Sequence, residues 1–388
     1  MRDEWHVDHD IRRAEGLPAA AFVERDFLAR ELATIFSRSW LVVPEGHDRG
    51  GDARPLEEQL AARGSRVPIS VLDRPLFLQR GWDSDALRAF PNTCTHAWYP
   101  LVLGASRGPT LVCAQHGRRF DCEGRFVSQQ GFTGLPEFPR PCDSLASLGA
   151  EAWRQLMFVR LSQDPVSGAG ATLTDVMAPV DASLARMPPI LDRMSADLRE
   201  VAGNWKQHAQ NYLDQFHIAF VHRAPGGLAD AVDLATYTTE LYDHAVLQWV
   251  YARDPADGFD PAHLPERFAD AKGRRVFALW WFVFPNLTLN YYPWGLSVNM
   301  YQPIPGRPDA TRFAWYQLAL DRAKHAERDR RWLSAQVDAE DVDALAQVGR
   351  GLRSGFAPRP RFSPEQERGV HWFHRAVASG MSGAPRGR

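Results

Sequence analysis

Two short motifs, each holding one cysteine and one histidine, constrain this chain more than any other feature. Cys94 and His96 form the first, Cys113 and His116 form the second, and residues 97–112 separate them, so the pattern is C-x-H…C-x2-H. Two thiolates and two imidazoles can attach a [2Fe–2S] cluster, and histidines on one iron raise its reduction potential. The sequence therefore predicts a redox protein, with a second, oxygen-activating iron site further along the chain.

This arrangement is Rieske ligation, and a zinc ion is the alternative, because two Cys and two His can also close a tetrahedral structural site. The same Cys-before-His order in both halves, and Gly117 directly after the second half, favour the cluster. Residues 113–126 predict a ligand loop, a strand, a turn and another strand. The other cysteines, Cys122 and Cys142, are interpreted as buried, unpaired thiols.

Length and composition indicate an ordinary globular protein of two domains. The chain has 388 residues, of which 45% are hydrophobic and 24% charged, and its net charge is −2. So balanced a charge gives no reason to expect binding to nucleic acid or to an anionic membrane. The most hydrophobic run, residues 276–284, is too short to span a bilayer, and the first residues contain no signal core. We therefore expect a cytoplasmic protein whose partners are small molecules and proteins.

The apolar pattern divides the chain into segments. Residues 1–40, with a helical pattern over 20–40, are expected to pack on the C-terminal domain, and residues 41–165 have the short, Gly- and Pro-punctuated runs of a small all-β domain. A linker is predicted at 162–170. Residues 171–388 predict antiparallel sheet plus helices, an α+β domain. Its expected helices are 173–186, 206–221, 323–349 and 364–377, and its expected strands are 199–205, 235–251, 276–292 with a turn at Pro285 and Asn286, 296–302 and 311–320.

A second metal motif lies in the helical run at 206–221. Asp214, His217 and His222 form D-x2-H-x4-H, and two His with one carboxylate leave coordination positions open on a non-haem Fe(II). On a regular helix five residues turn the two histidines about 140° apart. We therefore predict an irregular turn between Ile218 and Val221, the alternative being a core helix with two hydrogen-bonded histidines. A late acid must complete the set, and helical spacing does not choose among Asp338, Glu340, Asp341 and Asp343.

With both motifs in view, the chain resembles the α subunits of the Rieske non-haem iron oxygenases, also called ring-hydroxylating oxygenases, from about Leu17 to Ala376. The family has a helix with an N-x2-D-x2-H-x4-H motif, which runs here from Asn211 to His222, and a late E-D pair, which is Glu340 and Asp341 here. The resemblance implies a small β Rieske domain followed by a helix-grip (START-like) catalytic domain. It further implies an iron triad of His217, His222 and Asp341.

Family members typically form head-to-tail homotrimers, so the resemblance also implies that Asp214 bridges His116 of one subunit and His217 of the next. Electrons would come from NAD(P)H through a ferredoxin and/or a flavin reductase, since no dinucleotide-binding G-x-G-x-x-G is found, and O2 would be the co-substrate. The chain departs from the family pattern next to the cluster ligands, where it has Ala97, Trp98, Ala114, Gln115 and Arg118. These positions affect the potential of the cluster and its docking partner.

Residues 211–222 and 284–299 most resemble the branch with choline, betaine and carnitine oxygenases. Aromatic residues are dense between 280 and 294, and facing rings attract a quaternary ammonium group, although on one strand only alternate rings can face a pocket. The pocket prediction is Asn211, Trp281, Phe282, Tyr291 and Trp294. The expected reaction is hydroxylation or oxidative N-demethylation; the alternatives are aromatic-ring hydroxylation and, from another class, an electron carrier without oxygenase activity.

Overall fold

The computed structural model describes residues 5–45, 54–162, 171–190, 192–223, 227–331 and 334–382, which fall into two compact units. The small unit is Phe36–Leu173, and the large unit comprises residues up to Ile35 and from Thr174 onward. Of the predicted linker, residues 163–170 lie outside the described residues. None of the helices in the described ranges is long and apolar enough to cross a membrane.

The N-terminal segment is less regular than the single helix expected over 20–40. Glu24 has extended backbone angles and separates two short helices, and a five-residue π-helical turn, Leu32–Phe36, follows the second. The apolar positions nevertheless point inward, because Phe27 and Leu28 are buried. The two helices are α1, Ala20–Val23, and α2, Arg25–Glu31.

The small unit is built from short antiparallel strands, as the punctuated apolar runs predict. Its elements are β1 Leu41–Val42, α3 Leu56–Gln59, β2 Ser65–Val71, β3 Arg74–Arg80, β4 Leu87–Pro91, β5 Ser106–Arg107, β6 Thr110–Val112, β7 Arg119–Asp121, β8 Phe126–Ser128, β9 Gly149–Trp153 and β10 Leu156–Arg160. The strands form sheets of order β1-β10-β9, β4-β3-β2-β5 and β6-β7-β8. Phe77, Phe90 and Phe120 form the core of this unit together with Cys94 and Cys113.

The remaining cysteines of the small unit differ in burial. Cys122 is buried and its Sγ lies 3.4 Å from the carbonyl oxygens of Gly108 and Pro109, as expected of an unpaired core thiol. The prediction for Cys142 is wrong, since this residue is exposed. It lies in a 3₁₀ turn, Pro141–Asp143, that begins with a proline and contains no buried residue.

The large unit is organised by a seven-stranded antiparallel sheet in the described residues. The elements of this unit are α4 Leu173–Ser183, β11 Asp192–Ala202, α5 Trp205–Leu213, α6 Ile218–Val221, α7 Leu228–Ala231, β12 Thr238–Leu241, β13 Ala245–Tyr251, β14 Val276–Val283, β15 Leu287–Tyr292, β16 Gly295–Ile304, β17 Arg307–Ala319, α8 Arg322–Arg331, α9 Ser334–Leu352 and α10 Arg368–Ser382. The strand order in the sheet is β11-β17-β16-β15-β14-β13-β12. All eight residues of β14 are buried, because both faces of the sheet are covered.

Two boundaries in the large unit are set by local chemistry that periodicity does not reveal. The strand expected over 199–205 ends at Ala202, because Gly203 has φ +98° and the Asn204 side chain accepts a hydrogen bond from Lys206 N at the start of α5. The last helix begins at Arg368 rather than 364, because Glu367 accepts a hydrogen bond from the backbone N–H of Ser363 in the preceding turn.

A buried ion pair joins α2 to α5 within the large unit. Lys206 Nζ lies 2.8 Å from Glu31 Oε1, Trp205 Nε1 donates to Glu31 Oε2 at 3.0 Å, and both charged side chains are fully buried. Burial raises the pKa of Glu31 and lowers the pKa of Lys206, although each charge favours the other. The pair therefore holds the N-terminal segment against the helix that leads to Asp214.

Replacing Lys206 with Met is expected to lower the free energy of unfolding by about 3–5 kcal/mol, because Glu31 would keep a buried charge without its partner. The double variant Lys206→Met/Glu31→Leu should recover most of this loss. Urea unfolding followed by circular dichroism measures both. A single variant as stable as the wild type would contradict the role of the pair.

Candidate metal centres

The first centre is formed by two loops of the small unit with the same backbone hydrogen bonds. Cys94 N donates to Tyr99 O and Trp98 N donates to Cys94 O; equivalently, Cys113 N donates to Arg118 O and Gly117 N donates to Cys113 O, all at 2.8–3.0 Å. The fifth residue of each loop has positive φ, 61° at Trp98 and 71° at Gly117. Glycine adopts this conformation freely, whereas Trp98 is a strained non-glycine residue of the kind found at functional sites.

The four predicted ligands come together at the tips of these loops. Cys94 and Cys113 are buried, His96 is half-buried and His116 is exposed, and the two imidazole rings are 4.7 Å apart between centroids. Burial and the neighbouring charges of His116 and Arg118 lower the pKa of His96, which favours the neutral form that a metal requires. Two inward thiols beside two outward imidazoles fit a cluster with cysteines on one iron and histidines on the other.

Arg118, one of the departures from the family pattern, is buried and links the two loops. Its Nη1 donates to Thr95 Oγ1 at 2.8 Å and to Asp143 Oδ1 at 3.2 Å. Its Nε donates to Gln129 Oε1 at 2.6 Å, and Gln129 Nε2 lies 3.0 Å from His96 Nδ1. Three rings surround the guanidinium, those of Phe126, Phe132 and Phe138.

Replacing Arg118 with Met should therefore destabilise the small unit by about 3 kcal/mol, because Asp143 would lose a largely buried partner. The matched control is Arg125→Met, in which an exposed arginine loses a surface ion pair with Asp121 worth no more than about 1 kcal/mol. Urea unfolding monitored by the visible absorbance of the cluster follows this unit specifically. Equal unfolding midpoints for the two variants would contradict the linking role.

The second centre begins where α5 ends, at Leu213. Asp214 leaves the helix with φ −90° and ψ 107°, and its Oδ1 accepts a hydrogen bond from Phe216 N at 2.7 Å. An aspartate that bonds the backbone two residues ahead competes with helix continuation. The irregular turn is thus real but lies between Asp214 and His217, not between Ile218 and Val221 as predicted; the latter residues form α6.

This break brings both histidines to one acid of α9. His217 Nε2 and His222 Nε2 are 3.2 Å apart, and Asp341 Oδ1 lies 3.6 Å from the former and 3.1 Å from the latter. Cis ligands of an octahedral ion with bonds of about 2.1 Å lie roughly 3 Å apart. The three donor atoms therefore fit one metal ion, and His217, His222 and Asp341 form the only such group of His, Cys, Asp and Glu in the part of the chain that the structure describes.

An outer carboxylate lies beside each ring, and the one beside His222 is within hydrogen-bond distance. Glu340 Oε2 lies 2.9 Å from His222 Nδ1, and Asp214 Oδ2 lies 3.5 Å from His217 Nδ1. Burial disfavours a charged imidazole, but the hydrogen bonds and charges of Asp341 and Glu340 outweigh it and raise the pKa of His222. Metal-binding histidines generally have such carboxylate partners. Thus Asp341 lies on the Nε2 side of His222, where a metal ion would bind, and Glu340 contacts the opposite nitrogen, Nδ1, of the same ring.

The triad opens into a cavity of about 720 Å³ between the sheet and the helices of the large unit, within the range for small-molecule sites. An aromatic cluster forms one wall. Its members are in mutual contact: Tyr237 stacks on Trp280, Tyr292 stacks on Trp294, and Phe277 meets three of these rings edge-on. We use "aromatic cluster" for these five residues, Tyr237, Phe277, Trp280, Tyr292 and Trp294.

Of the five predicted pocket residues, Asn211 and Trp294 line the cavity. Trp281 and Tyr291 do not, because they alternate with Trp280 and Tyr292 along their strands and point to the opposite sheet face; Trp281 Nε1 donates to Ser183 Oγ of α4 at 3.1 Å. Phe282 is covered by the rings of α10, Trp372 and Phe373. The pocket prediction missed Trp280 and Tyr292, which belong to the same aromatic-rich segment. Only the alternation of side chains along a strand distinguishes them from Trp281 and Tyr291.

Known proteins resemble the chain over both units. The family "Ring hydroxylating alpha subunit (catalytic domain)" matches residues 190–383, and "Rieske [2Fe-2S] domain" matches residues 55–139. The carnitine monooxygenase oxygenase subunit of Acinetobacter pittii is 23% identical over 93% of each chain. The chloroplastic choline monooxygenase of Arabidopsis thaliana is 25% identical over 94% of this chain and 82% of that protein.

Solved structures show the same fold. A quaternary ammonium Rieske monooxygenase, described with carnitine oxidation and inter-subunit electron transfer, superposes with a TM-score of 0.70 at 18% identity, over 97% of this chain and 100% of the other. Naphthalene 1,2-dioxygenase with bound indole superposes with a TM-score of 0.68 at 18% identity, over 98% of this chain and 95% of the other.

The Rieske match decides against zinc at the first centre. Proteins of this family contain a Rieske [2Fe–2S] cluster and a non-haem iron, use O2 and reducing equivalents, work with electron-transfer partners and form multimers. With a Rieske domain in its N-terminal half and the catalytic domain matching half of its length, this chain belongs to the ring-hydroxylating α subunits, the Rieske non-haem iron oxygenases.

Proposed function

We propose that this oxygenase hydroxylates, or oxidatively N-demethylates, a small quaternary ammonium compound. The observation that carries the proposal is the aromatic cluster, which lines the same cavity as His217 and Asp341. Trp280 Nε1 donates to Tyr292 Oη at 3.0 Å, which fixes two of its rings. Each ring face contributes about 0.5–2 kcal/mol of attraction to a desolvated cation. The similarity to carnitine and choline monooxygenases points to the same substrate class.

We assign the mononuclear iron to His217, His222 and Asp341, and the cluster to the ligands Cys94, His96, Cys113 and His116. The spacing of the three nitrogen and oxygen atoms supports the first assignment, and the twin loops support the second. Iron bound there would supply the O2-activating chemistry beside the cavity. The protein itself contributes the orientation of the His222 imidazole, through Glu340, a negative charge near His217, from Asp214, and an apolar wall beside the metal position.

We further propose a head-to-tail homotrimer in which Asp214 joins His116 of one subunit to His217 of the next. His116 is exposed, and Asp214 is partly exposed beside His217. A large apolar side chain is exposed near each of the two sites: Trp98, in the loop that begins at Cys94, has 82% of its surface exposed, and Phe220, three residues after His217, has 64%. Contact with a second copy would bury them, as the cores of subunit interfaces do with aromatic residues.

We propose functional boundaries of 1–40 for the N-terminal segment, 41–165 for the Rieske domain and 171–388 for the catalytic domain, which the compact unit Phe36–Leu173 supports within several residues. Electrons would reach the cluster from NAD(P)H through a ferredoxin and/or a flavin reductase, and we propose a cytoplasmic location. Nucleic acid and membranes are not proposed as partners.

Hydroxylation of an aromatic ring is the second candidate, favoured by the apolar wall of the same cavity. An electron carrier without oxygenase activity is disfavoured, because it would give no reason for His217, His222 and Asp341 to converge.

Single turnover tests the proposal without the unknown reductase. The protein, reduced with dithionite and freed of excess reductant, is mixed with O2 and either an N-methylated ammonium compound or an arene, and products are identified by mass spectrometry. We expect product from the ammonium compound. Tyr292→Leu should weaken the binding of this compound roughly tenfold. Phe313→Leu, which changes a ring that lines the cavity outside the aromatic cluster, should leave the binding nearly unchanged. Products from arenes alone would reject the proposal.

A further inference from the structure

A row of polar side chains crosses the floor of the cavity. Strand register places Gln248 of β13 opposite Trp280, Trp280 opposite Asn290, Asn290 opposite Ser297 and Ser297 opposite Gln317. All five side chains line the cavity, as expected for residues that share one sheet face. Neutral amides and a hydroxyl therefore lie beside the aromatic cluster, in direct line with Trp280.

Asn290 and Ser297 of this row are engaged within the protein. Tyr212 Oη donates to Asn290 Oδ1 at 2.8 Å, Asn290 Nδ2 donates to Ser297 O at 3.3 Å, and Ser297 Oγ donates to Asn299 Oδ1 at 3.0 Å. These bonds fix the positions of the side chains in the middle of the floor.

Gln248 differs from them. Its Nε2 donates to Tyr212 O at 2.9 Å, while its Oε1 is buried and has no hydrogen-bond partner among the described residues. A carbonyl such as Tyr212 O can only accept, so the amide orientation is determined and Oε1 points away from it. The residue as a whole is 1% exposed. A buried acceptor left unpaired costs about 1–3 kcal/mol, and a donor in the cavity would remove that cost.

The charges around the cavity also favour a neutral group over a carboxylate. Among the described residues that line it, Arg199 is the only arginine or lysine, and it is exposed, with its guanidinium over the ring of Phe313 at 5.6 Å and 3.9 Å from Asp197. Asp214 and Asp341 contribute negative charge near the triad. A carboxylate placed beside the aromatic cluster would thus lose its hydration without gaining a buried cationic partner, which is strongly unfavourable.

We propose that the substrate is an ammonium compound with a neutral hydrogen-bond donor, a hydroxyl or an amide N–H, and without a carboxylate, and that Gln248 Oε1 accepts from this donor. The proposal rests on the function proposed above and assigns its substrate class. Gln248 is a specificity-determining residue here: the aromatic cluster holds the cation, and Gln248 selects the neutral group attached to it.

Three matched probes test the donor. Choline has a hydroxyl, its O-methyl ether has the same cation with an acceptor only, and glycine betaine has a carboxylate. Isothermal titration calorimetry on the full-length protein measures their dissociation constants. We expect choline to bind roughly tenfold more tightly than the ether, and betaine to bind more weakly than either. This comparison uses the wild-type protein, so it does not depend on the folding of a variant.

Gln248→Met removes the acceptor and should bring the choline and ether dissociation constants together, whereas Gln347→Met on the exposed face of α9 should keep them apart. Equal binding of choline and its ether to the wild-type protein would overturn the role of Gln248 while leaving the aromatic cluster as a cation site. Tighter binding of betaine than of choline would overturn the exclusion of carboxylates. If no ammonium probe binds but indole does, the proposal falls together with the function on which it rests.

Discussion

Asp341→Ala is expected to abolish turnover and to lower the iron content from about three atoms per chain to about two, with the cluster retained. Asp341 Oδ1 is the carboxylate oxygen that lies 3.6 Å from His217 Nε2 and 3.1 Å from His222 Nε2. Replacing a residue that merely supports a ligand typically costs 10- to 100-fold in metal affinity or activity. Loss of the ligand itself should exceed about 100-fold. Metal analysis and single-turnover product formation measure the two effects.

The matched control is Asp343→Ala, an exposed acid on the same helix, which should keep about three irons and full turnover. Since the triad lies in the large unit and the cluster ligands in the small one, the Rieske EPR signal should be unchanged in both variants. Unchanged product formation by the Asp341 variant would mean that another acid completes the site. Loss of the cluster together with the iron would indicate a folding defect, which circular dichroism would show.

Asp214→Asn should slow turnover roughly 10- to 100-fold while both metals remain bound. Asparagine keeps an oxygen that can accept from Phe216 N, so the turn after α5 is preserved. It lacks the negative charge that faces His217 Nδ1 at 3.5 Å and that would orient a histidine of a neighbouring subunit. The rate at which O2 and substrate oxidise the reduced cluster, followed by stopped-flow absorbance, isolates this step.

Asp309→Asn, at an exposed position on β17, is the control for loss of a single negative charge. If Asp214→Asn oxidised its cluster at the wild-type rate, Asp214 would be a turn-forming residue only. If it lost the mononuclear iron, the carboxylate would be needed to hold His217 and its proposed bridging role would have no separate support.

Features that depend on residues close together in the sequence were mostly predicted from the spacing of those residues. The two Cys and His pairs lie in loops with the same backbone hydrogen bonds, and the D-x2-H-x4-H motif located the turn at the end of α5, although the break falls at Asp214. That shift has a local cause, the hydrogen bond from Phe216 N to the Asp214 side chain. The strand runs at 276–292 were also correct, as one hairpin of β14 and β15.

Features that depend on distant residues could not be predicted in the same way. The Glu31–Lys206 pair and the covering of Phe282 by α10 join segments far apart in the chain. Strand parity could have separated Trp280 from Trp281, but the choice of face needs the packing of α4 on the other side of the sheet. The unpaired oxygen of Gln248 likewise depends on Tyr212, which a sequence pattern does not reveal.

Iron and acid-labile sulfide per chain, measured on anaerobically purified protein together with an EPR spectrum after dithionite reduction, test the central claim most directly. About three irons to two sulfides with a Rieske-type signal is the result expected of a cluster plus a mononuclear iron. About two irons, with no further iron taken up from added Fe(II), would contradict the second centre. Zinc without sulfide would contradict the first.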